Sequence, residues 1–208
     1  MTPRRAKTTP ASTPGSFAAH ERTPPDVELL DSPTMTGAKQ GEPHNEVLAA
    51  AIRRCAADFE LLNSYDRGTF TATPGTEPTW SLDLSTAREA IAAVRDRFPD
   101  DELFGVESGD GLSVILTHIE QSSSSEPLYK SVEDRAAHLI YMIANSRPLA
   151  DGNKRSAVAL AGIYLAKNGA KPPPEFTLAA LTLIAASSGP EEKDQIIGVL
   201  RIVLSQDG

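Results

Sequence analysis

The residues of this chain that could do chemistry concentrate in one stretch, Arg147-Pro148-Leu149-Ala150-Asp151-Gly152-Asn153-Lys154-Arg155-Ser156. A proline-containing loop delivers a carboxylate, then a glycine, then an amide and two cations, and an apolar helix follows at once. That order suits a polyphosphate and its metal ion. A helix beginning Gly152-Asn153-Lys154-Arg155 presents unpaired backbone N–H groups and the positive end of its dipole, where anions bind readily. Gly152 lets the backbone come close to a ligand. Lys154 can meet a phosphate as a point charge, and Arg155 can make a two-pronged contact. Asp151 is placed to hold Mg2+, a hard cation that combines a carboxylate with phosphate oxygens. The stretch is not a Walker A loop, because Asn153 separates Gly152 from Lys154. Asp-Gly-Asn-Lys is also an ordinary turn and helix start, so these residues take their meaning from the elements around them.

Those elements read as helices. Leu48, Ile52, Cys55, Phe59 and Leu62 recur at helical spacing from Asn45, which could cap that helix. Asp66-Arg67-Gly68 and Thr73-Pro74-Gly75 make residues 63–80 a loop. A second helix is expected near Thr86, where Thr86 and Glu89 fit a capping box. Its stripe is Ala87, Ile91, Val94 and Phe98, and Pro99 stops it. A turn region over 105–111 precedes a third helix, Leu112 to Glu120. Ser122 to Ser125 reads as a flexible polar stretch, and Leu128-Tyr129 as a short strand or hairpin arm. The longest clean helix covers about 132–145, capped by Ser131, with Val132, Ala136, Leu139 or Ile140, and Ile143 buried. After the loop at 146–153, a helix apolar on nearly every side runs to about Lys167, as expected of a helix at the centre of a bundle. Asn168-Gly169 ends it, Pro172-Pro173-Pro174 makes a rigid connection, and two helices follow near 177–187 and 191–204. The fold class is therefore all-α over residues 45–205. Residues 1–44, rich in Pro, Thr, Ser and charge, read as a disordered tail that cannot bury enough surface to offset its ordering entropy. His20 and His44 lie in that tail, without paired ligands at metal spacing.

Composition bounds the partners. Among 208 residues, 40% are hydrophobic and only 5% aromatic, so Ala, Leu, Ile and Val must fill the core. A net charge of −8 argues against a general nucleic-acid binder, but a local cationic cluster can still bind a small anion. The single cysteine, Cys55, cannot form an internal disulfide and is expected as a small core residue on a helix. No apolar run approaches the roughly 20 residues needed to span a bilayer. Arg4-Arg5 is not followed by the apolar stretch of an export signal. The expectation is a soluble cytoplasmic protein with no membrane and no nucleic-acid partner.

Asp151-Gly152-Asn153-Lys154-Arg155, framed by Ala136-Ala137-His138-Leu139-Ile140-Tyr141 and Leu165-Ala166-Lys167-Asn168-Gly169, resembles the Fic/Doc (Fido) family. The family pattern is H-P-F-x-D-G-N-(G or K)-R, and the lysine resembles the Doc branch more than most Fic proteins. Leu103-Phe104-Gly105-Val106, Leu128 to Glu133 and Thr177 to Ala185 are similar as well, so the resemblance covers about 80–205. It implies a Fido-type helical bundle with a short flap or hairpin before the central helices. It also implies protein modification from a nucleotide: transfer of AMP, or of phosphate in the Doc branch, from ATP to a Ser, Thr or Tyr hydroxyl of a target protein. Carried over by position, Asp151 would hold Mg2+. Gly152, Asn153 and Lys154 would form the anion hole, and Arg155 would contact the phosphates. The segment from Gln121 to Tyr129 would be a flap aligning the target backbone.

Two positions depart from the pattern. Leu149 stands where the family has Phe, a mild change because Leu fills a similar volume. Arg147 stands at the catalytic histidine, which takes the proton from the target hydroxyl. Arginine stays protonated in proteins and cannot act as a base. His138 reads as a helix-packing residue, and the direction of His118 is not readable. Three readings follow: a toxin-like transferase with altered catalysis at Arg147, a catalytically degenerate pseudoenzyme that binds nucleotide or a partner, and a relic kept for its fold. The intact Gly152 to Arg155 favours retained phosphate binding over a relic. A self-inhibitory S/T-x-x-x-E-(G/N) helix is not found, since Ser187 to Glu191 is followed by Glu192 and Ser85 to Glu89 by Ala90. A toxic protein of this kind would need an antitoxin in trans.

Overall fold

Eight α-helices and one short hairpin make up the described residues of the computed structural model, which are 42–70, 75–123, 126–171 and 173–205. The expected tail falls, except for its last three residues, outside the described residues. The chain divides into two units, Met1–Asn45 and Glu46–Gly208, and the second carries the loop at 147–155. In order the elements are α1 (Glu42–Arg54), α2 (Ala56–Arg67), α3 (Leu84–Arg95), α4 (Gly111–Ile119), β1 (Ser122–Ser123), β2 (Glu126–Pro127), α5 (Val132–Ser146), α6 (Asn153–Lys167), α7 (Thr177–Ser187) and α8 (Lys193–Leu204). A single 3-10 turn, Pro190–Glu192, leads into α8. This is an all-α bundle, as the sequence predicts.

Local sequence explains the two central helices. Ser131 is extended, and its side chain accepts from the N–H of Asp134 at 3.1 Å, while Glu133 and Asp134 place negative charge in the first turn of α5. Val132, Ala136, Leu139, Ile140 and Ile143 are all buried. With that stripe α5 packs against α4, α6, α7 and α8. Helix α6 buries Ala157, Leu160, Ala161, Tyr164 and Leu165 and packs against α3, α5 and α7. Its C-terminal Asn168 does more than cap. The side chain accepts from the N–H groups of Thr79 and Trp80 at 2.9 and 2.8 Å and donates to the carbonyls of Trp80 and Tyr164. One buried amide thus holds the chain that enters α3 against the end of α6.

Several boundaries differ from the sequence reading. Helix α3 begins two residues earlier than expected, because Asp83 is the N-cap and its side chain accepts from the N–H of Thr86 at 2.7 Å. The hairpin pairs Ser122 with Pro127 and Ser123 with Glu126, so its arms precede Leu128-Tyr129. Tyr129 is instead the buried anchor of that hairpin: its hydroxyl meets His118 Nε2 at 2.8 Å, and its carbonyl accepts from Arg135 Nε at 3.0 Å. His138 packs its ring on Tyr129 with centroids 3.8 Å apart. Both histidines therefore serve this anchor. The first helix starts before Asn45, and α2 continues through residues 63–67 that were expected as loop. Cys55 is exposed, a correction to its expected core position; it lies between α1 and α2, on a stretch where residues 51–60 are all exposed.

Candidate functional site

The loop after α5 is built to hold an unusual backbone. Arg147 caps α5 in the left-handed region, with φ 49° and ψ 60°, a conformation costly for a residue with a β-carbon. The chain downstream is pinned on both sides. The N–H of Ser108 donates to the Pro148 carbonyl at 2.8 Å, that of Ala150 to Val106 at 2.8 Å, and that of Gly105 to Asp151 at 3.1 Å. Residues 104–108 therefore brace residues 148–151. Leu149 is buried at the position where the resemblance has Phe.

Gly152 is required twice over. Its φ is 82°, and a Cβ there would lie 2.6 Å from the Phe104 ring. From Gly152 the chain turns into α6, whose first internal bond runs from the N–H of Ser156 to the Gly152 carbonyl at 2.8 Å. The N–H groups of Asn153, Lys154 and Arg155 have no partner within the helix, as at any N-terminus. The Asn153 side chain is engaged by the loop: its Oδ1 accepts from the Leu149 N–H at 3.0 Å, and its Nδ2 donates to the Leu149 carbonyl at 2.7 Å. A ligand at this turn would meet the backbone of Asn153, with its amide fixing the loop shape.

A cavity of about 390 Å³ opens over this turn, lined by Ala144, Arg147, Ala150, Asp151, Gly152, Asn153, Lys154 and Arg155. The six expected site residues all lie in it. Arg147, Asp151 and Lys154 are exposed, and Arg155 is half-buried. Among the described residues, Arg147 and Lys154 form no ion pair. Arg155 does: its Nη1 lies 2.6 Å from Asp101, and its Nη2 lies 3.4 Å from Asp151. Its guanidinium also sits 4.5 and 4.6 Å from the centres of the Phe98 and Phe104 rings, which stack at 6.1 Å. Asp101, Phe98 and Phe104 were not visible as site residues in the sequence. Phe98 was expected on the stripe of α3, but it lies beyond that helix and grips Arg155 instead. No histidine lines the cavity, and no group of three or more His, Cys, Asp or Glu that could hold a metal gathers among the described residues.

The brace has its own support. Arg88 Nε on α3 lies 2.6 Å from Glu107, and this hydrogen bond holds the Glu107 carboxyl below its ordinary range. A depressed carboxyl pKa means that the pair stabilises the fold above the unfolded-state value, and that this contribution is lost as pH falls through the folded-state value. Because Arg88 is largely exposed, the effect is small. Glu107→Gln is expected to cost under about 1 kcal/mol at neutral pH and to flatten the acid side of a plot of stability against pH, measured by urea unfolding. An unchanged acid side would remove Glu107 from this account.

A bundle whose central helix starts at a glycine-cradled, cation-rich turn braced by a preceding loop defines a class before it defines a protein. Residues 82–165 match the model of the Fic/DOC family. The matched segment runs from the approach to α3 through most of α6 and contains the whole loop; it is less than half of the chain. It supports Fic/Fido membership and associates the chain, at the level of the family, with nucleotide-related protein modification. No curated protein and no solved structure matches the chain.

Proposed function

We propose that this protein is a Fic/Doc-type transferase of the Doc-like branch, with catalysis altered by Arg147. It binds the phosphates of ATP or another nucleotide at the start of α6 and directs AMP or phosphate to a Ser, Thr or Tyr hydroxyl of a target protein. The observation that carries this reading is the single cavity in which the free cations Arg147 and Lys154 meet Arg155, the Gly152 turn and the Asp151 carboxylate. Lys154 and the first-turn N–H groups would hold phosphate oxygens. Arg155 would join them by exchanging Asp101 for an oxygen while its two phenylalanines keep it in place. Asp151 fits Mg2+ as the one carboxylate of a site completed by phosphate oxygens, the usual arrangement for that ion. The metal would neutralise phosphate charge.

One observation favours the second reading, a pseudoenzyme that binds nucleotide or a partner without transfer. The only ionisable side chains lining the cavity are three cations and Asp151, so the target hydroxyl meets no imidazole there. Both readings share nucleotide binding, and calorimetric titration with ATP and Mg2+ tests it. The unmodified chain is expected to bind. Lys154→Ala and Arg155→Ala are each expected to weaken binding about tenfold or more, the scale of a lost hydrogen bond to a charged group. A chain that takes up no ATP with Mg2+ overturns the cradle and both readings with it. A toxin-like role, with an antitoxin in trans, extends this proposal; the absence of a fitting self-inhibitory helix motif supports it.

A further inference from the structure

A second cavity adjoins the phosphate cradle. Its volume is about 500 Å³, and it shares Lys154 and Arg155 with the first. Helices α3 and α7 both pack against α6 and, among the described residues, not against each other. A groove therefore stays open between them, with α6 as its floor. Val94, Phe98, Val158, Ala159, Ala179 and Leu183 line it. Alanine at 159 on the floor and at 179 on the α7 wall leaves space that a larger side chain would take. Phe98 and Leu183 remain 39% and 57% exposed, so apolar surface is left bare directly beside the cations of the cradle.

The two cavities differ in chemistry, and the pair fits one kind of molecule. The first is a cation-rich turn suited to phosphate. The charged side chains at the second are Arg97, Lys154 and Arg155, all cations. The remaining polar side chain is that of Thr182, whose hydroxyl already donates to the Leu178 carbonyl at 2.7 Å. A mainly apolar groove with a few polar groups at its edge is the usual seat of a flat, uncharged ring system, and the cations at its mouth favour a ring that is tied to an anion. The spacing agrees. From Lys154 and Arg155 to Val158 and Ala159 the axis of α6 advances by about 6 Å, a step that a ribose bridges between phosphate and base. The partly exposed Phe98 ring lies on that path and offers the aromatic surface on which bases stack.

Resting on the nucleotide reading above, we propose that the groove between α3 and α7 holds the base of the nucleotide whose phosphates lie at the start of α6. Calorimetric titration of the full chain, in Mg2+, with ATP and with inorganic triphosphate tests it. ATP is expected to bind roughly tenfold or more tighter than triphosphate, the scale of one stacked base. Ala159→Phe on the floor and Ala179→Phe on the exposed side of α7 each fill the groove. Each is expected to bring ATP down to the affinity of triphosphate while triphosphate itself binds as before, which also shows that the cradle is intact. A parent chain that binds both ligands equally overturns the seat of the base and leaves the cradle standing; that is the result for a groove that takes an apolar side chain of a partner protein. Binding of neither ligand overturns the nucleotide reading and the base site with it. If Ala159→Phe loses both ligands through damage to α6, Ala179→Phe decides. An ATP affinity in that chain equal to the parent's overturns the proposal.

Discussion

Arg147→His is expected to raise the transfer of label from ATP to protein by about 10²–10⁴-fold over the unmodified chain, the usual contribution of a positioned base. On the resemblance, position 147 is where the target hydroxyl gives up its proton, and an arginine does not serve as a base. The backbone favours the substitution. Arg147 sits in the left-handed region at φ 49°, which histidine visits more readily than most residues with a β-carbon. The rest of the loop does not depend on residue 147, because Pro148, Ala150, Asp151 and Asn153 make its hydrogen bonds. The variant is therefore expected to fold as the parent does and to differ in one property, the presence of a group with a pKa near neutrality.

The assay uses ATP labelled on the α- or the γ-phosphate, with a cell lysate as the source of targets. α-Label on protein identifies AMP transfer, and γ-label identifies phosphate transfer. Gain of either only in Arg147→His means a preserved site that lacks its base, and places the natural chain with the pseudoenzymes. Equal transfer by both chains means that another group takes the proton, and Asp151 is then the one carboxylate within the cavity to examine. His118 and His138 are poor substitutes, since both are engaged with Tyr129 at the root of the hairpin. If Arg147→His binds ATP with Mg2+ yet transfers nothing from either position, the transferase reading fails while the cradle stands.

What could be read from the sequence was local. The cap at Ser131, the stripe of α5, the turn at Gly152 and the close of α6 at Asn168-Gly169 each depend on residues within one helical turn, and the structure has all four. What could not be read depends on contacts between distant segments. Periodicity placed Phe98 on a helix face, whereas its position is set by Phe104 and by Arg155, more than fifty residues away. Asp101 gave no signal, because a carboxylate in a polar turn looks like any other until the fold brings a guanidinium to it. Asp83 and Thr86 are both good caps, and the choice fell to Asp83 because its carboxylate reaches the N–H of Thr86. The stripe from Leu48 to Leu62 had a clear period, but period fixes the face of a helix and leaves open whether the same chain covers it.

Phe104→Ala is expected to be the most destabilising single change near the site, at about 3–5 kcal/mol, or roughly 6–20 °C in Tm for a chain of this size. The side chain is fully buried, so its removal leaves a cavity in the core. Its ring stacks on Phe98 on one side and lies under the Gly152 backbone, close enough that any Cβ there would collide. The backbone around it bridges to Asp151, so the loop is tied to the position the ring leaves. Loss of the ring also removes one wall of the Arg155 cage, 4.6 Å from the guanidinium, a contact worth about 0.5–2 kcal/mol. Packing and function separate in Phe104→Leu. Leucine keeps much of the volume and is expected to cost under about 1.5 kcal/mol in stability, yet it presents no π face to Arg155. A folded Phe104→Leu chain that binds ATP with Mg2+ several-fold more weakly would show that the ring positions the arginine. The same variant binding as the parent does would reduce Phe104 to a core residue, and a Phe104→Ala chain melting at the parent temperature would contradict the packing described here.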